Sequence, residues 1–422
     1  MEKLAYDGGG PVRKTPFPSN FLGVTMYGDE EMAELKDVIE DKSPFRHYGA
    51  GNPRKTEFFE REVKEYFGSK FALAVSSGTG ALSCAVAALG VGPGDEVIIP
   101  TFGWYSDFYA VSNLGALPVF ADIDETLSLD PADFERKITD KTKAAVVVAF
   151  QGGPPAMDKI TEIAKRRGVK IIEDIAQAFG AEYKGKKLGT LGDIAIASFQ
   201  QNKTLCCGEG GLVLTNDEKY FTRAARYHDL GMLRPLFAGQ ISDKTLLGDG
   251  MAFAGNQYRM NEFCGAVMRA QLKKLDGLLK TCRAYHKRVR DALAGEKYFK
   301  IRWTDDGDCG AAVFLLFGTE REAKDFQDRL SAEGVPLGPK SACKNLMTQP
   351  PVYNKSMTHP GLPPFGKGFD GEAVDYPALN GEMKTDGILA RFIAISIGPQ
   401  YTDNDIADII KAIKKVGENL YG

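Results

Sequence analysis

The chain has 422 residues, of which 43% are hydrophobic and 26% charged, with a formal net charge of −3. That balance is ordinary for a soluble globular protein of two or more domains with a sizeable core, and it gives no case for a nucleic-acid or bulk membrane partner. No apolar run approaches the ~20 residues needed to span a bilayer, Met1-Glu-Lys-Leu-Ala-Tyr-Asp-Gly8 lacks a signal-peptide core, and the seven scattered cysteines and four dispersed histidines build neither a disulfide framework nor a zinc cluster, so a cytoplasmic protein without a metal is expected.

In chain order, residues 1–25 read as an N-terminal arm, rich in Gly and Pro from Gly8-Gly-Gly-Pro11 to Pro18. A helix is predicted from Glu30 to Asp41. A second starts near Thr56, with Phe59, Val63 and Phe67 on one stripe at helical spacing and Gly68 placed to end it. Apolar runs then alternate with helical stretches: Phe71 to Val75, Glu96 to Ile99, Leu117 to Ala121, Ala144 to Phe150, Lys170 to Ile172, Ile194 to Phe199 and Leu212 to Thr215. Such alternation implies an α/β fold with a mostly parallel sheet flanked by helices, here a large domain over 26–265. A smaller α+β domain over 266–422 follows. It is introduced by a helix from Glu262 to Leu279 that continues to Leu293, with strands at Ala311 to Phe317 and Phe392 to Ile397 and helices at Glu320 to Glu333 and Thr402 to Val416. Within it Pro336 to Gly387 is dense in Pro and Gly, and such a stretch is either an active-site flap or a passive surface excursion.

Three segments carry chemistry. Lys203 lies in Ser198-Phe-Gln-Gln-Asn-Lys-Thr-Leu-Cys-Cys-Gly-Glu-Gly-Gly211, just before a Gly-rich turn, and Asp174 lies upstream at the end of a strand-like run. An amine and a carboxylate in this order suit pyridoxal phosphate (PLP), which needs a lysine for its Schiff base and an acidic partner for its ring nitrogen. Gln177 is placed to reach the ring's phenolic oxygen. Ser76-Ser-Gly-Thr-Gly80 sits between a strand and an Ala-rich helix, where backbone N–H groups and the hydroxyls of Ser77 and Thr79 suit a phosphate dianion.

Taken together these residues resemble the DegT/StrS family of PLP-dependent sugar and cyclitol aminotransferases. The likeness runs through Arg46-His-Tyr-Gly49, Ser77-Gly-Thr79, Gly94-Asp-Glu-Val-Ile-Ile-Pro100, Glu173-Asp174, Lys203 to Gly211 and Asn256-Gln-Tyr-Arg-Met-Asn-Glu262. It implies the PLP-dependent transferase fold type I, the aspartate-aminotransferase fold. It also implies that Lys203 forms the Schiff base, Asp174 pairs with the ring nitrogen, Gln177 hydrogen-bonds the ring hydroxyl, and Gly78, Thr79 and Ser198 hold the phosphate. Trp104 and Ala176 would cover the two ring faces. Asn256 would reach the phosphate of a neighbouring subunit, so a homodimer with shared active sites is expected.

Two segments depart from the family. Ala149-Phe-Gln-Gly-Gly-Pro-Pro155 stands where relatives often carry His-Leu-Tyr-Gly, and Ser341 to Met347 lacks an expected histidine. The expected activity is transfer of an amino group from glutamate or glutamine to a keto or aldehyde carbon of a sugar, a sugar acid of the Kdo type or a cyclitol, with pyridoxamine phosphate as the intermediate cofactor form. A PLP-dependent sugar dehydratase, a cysteine desulfurase using Cys206 or Cys207, and a non-enzymatic PLP-binding relative are the alternatives. Retention of lysine at 203 favours transamination over dehydration.

Overall fold

The computed structural model describes residues 2–302, 307–338, 345–358, 361–362, 364–366, 374–376, 379, 381 and 383–422. Its centre is a seven-stranded sheet of β1 (Phe71–Val75), β2 (Glu96–Pro100), β3 (Leu117–Ala121), β4 (Thr142–Val148), β5 (Lys170–Asp174), β8 (Ile194–Ser198) and β9 (Gly211–Thr215). The strand order is β1-β9-β8-β5-β4-β2-β3. Strands β6 (Glu182–Tyr183) and β7 (Lys186–Lys187) form a separate small ribbon. β9 runs antiparallel to both neighbours and the remaining pairs are parallel. All strands but β9 therefore end at one edge of the sheet.

Side chains of β1, β3, β8 and β9 are buried along their whole length. Helices cover both faces, which is why these strands read as continuous apolar runs rather than as alternating patterns. The helices of this layer are α1 (Asp29–Glu40), α2 (Lys55–Phe67), α3 (Gly78–Ala88), α4 (Ser106–Ser112), α5 (Pro131–Lys137), α6 (Met157–Arg167), α7 (Glu218–Tyr227), α8 (Pro235–Ala238) and α9 (Glu262–Leu293). In α2 the stripe Phe59, Val63 and Phe67 is buried, and Gly68 ends the helix in the left-handed conformation at φ +68°.

Helix α9 is one uninterrupted element of 32 residues that joins two cores. Leu275, Leu278, Leu279 and Cys282 pack into the large core, and Val289 and Leu293 into the second. The second core surrounds a three-stranded antiparallel sheet of β10 (Lys300–Ile301), β11 (Ala312–Leu316) and β12 (Phe392–Ser396), covered by α10 (Glu320–Ala332) and the C-terminal helix Asp403–Tyr421. Residues of the N-terminal arm belong to this core as well. Leu4 is buried in it, Val12 and Phe17 pack against it, and the backbone N–H groups of Ala5 and Val12 donate to Glu333.

Part of Pro336 to Gly387 belongs to the core, while other described residues of it, such as Tyr353 at 77% exposure, lie at the surface. Leu346, Val352, Phe365 and Tyr376 are buried in the large core, the N–H of Leu346 donates to the carbonyl of Thr101 at 2.7 Å, and the Tyr376 hydroxyl donates to that of Pro118 at 2.9 Å. Phe365 and Tyr376 pack against Phe108 of α4, which fastens that helix to the sheet from outside. The apolar residues that do this are spaced among Pro and Gly without a period, so no strand or helix pattern announces them.

Candidate active site

The strand ends converge on a cavity of about 360 Å³ lined by Gly78, Thr79, Trp104, Asp174, Ala176, Gln177, Ser198 and Lys203, with Ser77, Ser106 and Glu209 among their neighbours. All the residues expected to touch the cofactor within one subunit are thus brought together. Their convergence follows from topology, since ligands of open α/β sheets sit outside the carboxyl ends of the strands.

The turn after β1 makes the anion end. Ser77 caps α3, its hydroxyl oxygen accepting from the N–H of Gly80 at 3.0 Å, which leaves its own proton available to a ligand. Thr79 and Ser106 share a hydrogen bond of 2.8 Å between their hydroxyls. Gly78 lies so close to β8 that a Cβ there would stand 2.7 Å from the Cβ of Ser198, so only glycine lets the cradle close on that strand. The segment Asn256 to Glu262 seals it from below, with the Tyr258 carbonyl accepting from the N–H of Ser76 at 2.7 Å. Free N–H groups at a helix start, hydroxyls and an open cavity fit a phosphate dianion.

The carboxylate end is made by β5. Asp174 is buried, and its Oδ1 accepts from the N–H of Ala176 at 2.8 Å. Burial raises its pKa above the ordinary carboxylate value, against the opposing effects of the Ala176 N–H, the Lys203 charge and a hydrogen bond with Asp107. Lys203 sits on the turn between β8 and β9, where its N–H donates to the Gln200 carbonyl at 2.9 Å and its carbonyl accepts from Gly23 at 3.2 Å. Gln177 is held by its Oε1, which accepts from the N–H of Gln151 at 3.4 Å.

That contact gives the divergent segment a function in the architecture. Gln151 adopts a left-handed backbone at φ +42°, and Gly152 and Gly153 run directly against Arg302, Asp308 and Cys309, where a Cβ on Gly153 would stand 2.6 Å from Arg302 Nη2. Arg302, buried and paired with Asp308 at 3.2 Å, donates to the Phe150 carbonyl at 2.9 Å. The turn bordering Gln177 is therefore clamped from the smaller unit. The other departure, Ser341 to Met347, has residues 341–344 outside the described residues.

Two expected residues sit differently from the rest. Trp104 lines the cavity but is 43% exposed and stacks on Tyr105 at a centroid distance of 4.2 Å. Asn256 does not line the cavity of its own chain; it is exposed, and its amide donates to the Tyr227 hydroxyl at 2.8 Å. Cys206 and Cys207 are not among the lining residues either: Cys206 is buried, and the Cys207 thiol donates to the carbonyl of Glu209 at 3.2 Å. No group of three metal-binding side chains occurs among the described residues.

Sequence reasoning misses Ser106 and Asp107. Asp107 is 1% exposed, and neither of its oxygens accepts a hydrogen bond from a donor among the described residues; the carboxyl of Asp174 stands within hydrogen-bond reach. An orphaned buried carboxyl beside Asp174 and Lys203, above a glycine cradle, is the polar interior expected where a charged ring is to be enclosed.

Known proteins resemble this chain over most of its length. Residues 27–363 match the model of the DegT/DnrJ/EryC1/StrS aminotransferase family. The chain belongs to this family. Among its relatives is the GDP-perosamine synthase of Escherichia coli O157:H7, 33% identical over 357 residues that cover 82% of this chain and 90% of the relative. Another is the L-glutamine:2-deoxy-scyllo-inosose aminotransferase of Streptomyces paromomycinus, 34% identical over 366 residues, 83% of each chain. The solved structure of 3-amino-5-hydroxybenzoic acid synthase superposes with a TM-score of 0.77 at 27% identity, covering 97% of this chain and all (100%) of that one. The protein is a PLP-dependent aminotransferase with the α/β architecture of its structural relatives, and the expectations of family, fold and enzyme class are borne out. Among the described residues of this aminotransferase, no helix is long and apolar enough to cross a membrane.

Proposed function

We propose that this aminotransferase moves an amino group from glutamate or glutamine to a keto or aldehyde carbon of a sugar, sugar acid or cyclitol, working as a cytoplasmic homodimer. The observation that carries the reading is the meeting of Lys203, Asp174 and the Ser77 to Thr79 cradle in one cavity. The acceptor class rests on relatives named for GDP-perosamine and for 2-deoxy-scyllo-inosose.

Gly78, Thr79 and Ser198 would hold the cofactor phosphate, Lys203 its aldehyde carbon, Gln177 its ring hydroxyl and Asp174 its ring nitrogen. When bound, PLP supplies an aldehyde that accepts the amino group, a ring that draws off the electron pair left at the donor carbon, and a pyridoxamine phosphate form that carries nitrogen between the two half-reactions. The remaining work falls to this chain. The Lys203 amine, once released to act as a base, takes the proton from the donor's α-carbon and returns one during transfer to the acceptor. Asp174, ionised, holds a proton on the ring nitrogen. Trp104 and Ala176, which line the cavity, would flank the ring, and Gln177, fixed through Gln151, would meet its hydroxyl. Asn256, exposed and turned from its own cavity, would complete the phosphate site of a partner subunit.

The test is spectroscopic. Purified protein loaded with PLP should show a visible band that moves to the near ultraviolet with glutamine or glutamate and returns when the right carbonyl acceptor is added. A panel of nucleotide-linked keto sugars, inosose-type cyclitols and eight-carbon sugar-acid aldehydes identifies the acceptor. A band indifferent to every amino-acid donor rejects the reading.

A further inference from the structure

Asp107 lies in the first turn of α4, where an acidic residue ordinarily faces solvent and complements the helix dipole. Here it faces inward. It is 1% exposed, and no N–H or O–H among the described residues donates to it. What surrounds it is specific. Gly103 lies against it so closely that a Cβ there would stand 3.2 Å from Asp107 Oδ2, with a Val148 methyl beside the same point. From β5 comes the Asp174 carboxyl, within hydrogen-bond reach, and from the turn after β8 comes the charge of Lys203. Two ionised carboxylates in contact in such a space would leave Asp107 charged, dry and without a donor. One proton between them removes both problems.

The proton belongs on Asp107. Asp174 already receives the N–H of Ala176, and that bond favours its ionised form. Asp107 has no such support, and burial together with the Asp174 charge holds its carboxyl well above the ordinary range, against the opposing pull of Lys203. We propose that Asp107 is a positioning residue of the amino-transfer reaction, a carboxylic acid kept neutral that donates a hydrogen bond to Asp174 and so fixes the orientation and charge of the group facing the cofactor ring nitrogen. The inference rests on Asp174 being that ring partner. Asp107 is not among the residues that line the cavity. It acts through Asp174, as outer carboxyls act on the groups that hold a metal.

The proposal is tested with Asp107→Asn, which keeps a donor of the same shape, and Asp107→Ala, which removes it. In the PLP-loaded full chain the pH midpoint of the visible band reports a proton held on the Lys203 nitrogen near Asp174. Asp107→Asn should leave that midpoint within ~0.3 unit and kcat within about threefold. Asp107→Ala concentrates negative charge on Asp174 and should raise the midpoint by about one unit while lowering kcat ~10-fold, with little change in donor KM.

The cofactor-free full chain supplies a readout independent of activity. An acid whose folded pKa is raised binds an extra proton only when folded, so its effect on stability turns unfavourable as pH rises above the unfolded value near 3.9. Asp107→Asn should therefore raise Tm relative to wild type more at pH 8 than at pH 5. A difference that is flat or reversed with pH overturns the proposal, as does an Asp107→Ala enzyme with unchanged midpoint and kcat, or an Asp107→Asn enzyme as impaired as Asp107→Ala. Absence of any visible band in wild type would instead reject the assignment of function, while the Tm comparison still reports the Asp107 proton.

Discussion

Glu173 and Asp174 are consecutive carboxylates at the end of β5, both nearly inaccessible to solvent, and they point to opposite faces of the sheet. The region around Glu173 saturates it: its oxygens accept from the N–H groups of Gly189, Leu191 and Gly192 at 2.6–2.7 Å, tying down the loop that leads into β8. The region around Asp174 gives it one N–H, from Ala176, and leaves the rest of the carboxyl to Asp107, Lys203 and the cavity. Equal burial thus accompanies opposite roles. A carboxylate with its hydrogen-bonding capacity filled by backbone is a structural strut, whereas one left under-satisfied within a cavity is held ready for something that is to bind there.

Substitutions on the chemical side should separate the two regions most strongly. Lys203→Ala removes both the amine that holds the cofactor aldehyde and the base that moves the substrate proton, so turnover should fall by at least ~10³-fold. Circular dichroism should stay close to wild type, because Lys203 is a half-buried residue of the turn between β8 and β9 and lines a cavity rather than a core. Borohydride treatment of wild-type enzyme followed by peptide mass analysis should place the cofactor mass on Lys203; mass on another lysine breaks the assignment. Asp174→Asn keeps the shape but cannot hold the ring proton by charge, and turnover should fall by about 10²-fold or more while the visible cofactor band persists. Near wild-type turnover in Asp174→Asn would mean that the two faces of β5 do not differ as described, and in Lys203→Ala that another group moves the proton.

The same contrast governs how much could be read from residues alone. The buried strands, the α2 stripe ending at Gly68, and Lys203, Asp174 and the Ser77 to Thr79 turn are local signals, each set by a few consecutive residues. What escaped depends on contacts across the chain. Asp107 looks like a helix-start acid until its burial beside Asp174 is seen. The clamp of Arg302 and Asp308 on Phe150 joins residues about 150 positions apart, as the Arg302 bond to the Phe150 carbonyl spans 152. Leu346, Phe365 and Tyr376 lie in a Pro- and Gly-rich stretch where no periodicity marks them as core. The division of α9 between two cores is equally invisible, because its apolar positions recur at helical spacing throughout.

The smallest effect on chemistry and the sharpest on stability should come from Glu173→Gln. Glutamine can keep one acceptor oxygen on Leu191 and Gly192, since both N–H groups share Oε1, but it must turn its NH₂ toward the N–H of Gly189, which now meets a donor instead of Oε2. One buried backbone donor is orphaned, and such a group costs about 1–3 kcal/mol. Tm should fall by a few degrees, and amide exchange should rise over residues 189–192 before it rises elsewhere. The Asp174 side of the strand keeps its own partners, so the visible cofactor band and its pH midpoint should stay as in wild type, with kcat reduced less than threefold. Loss of the band with Tm unchanged would reverse the roles given to the two carboxylates. A fall in both together would mean that β5 transmits strain from one face to the other, and that the division between strut and reactive group does not hold.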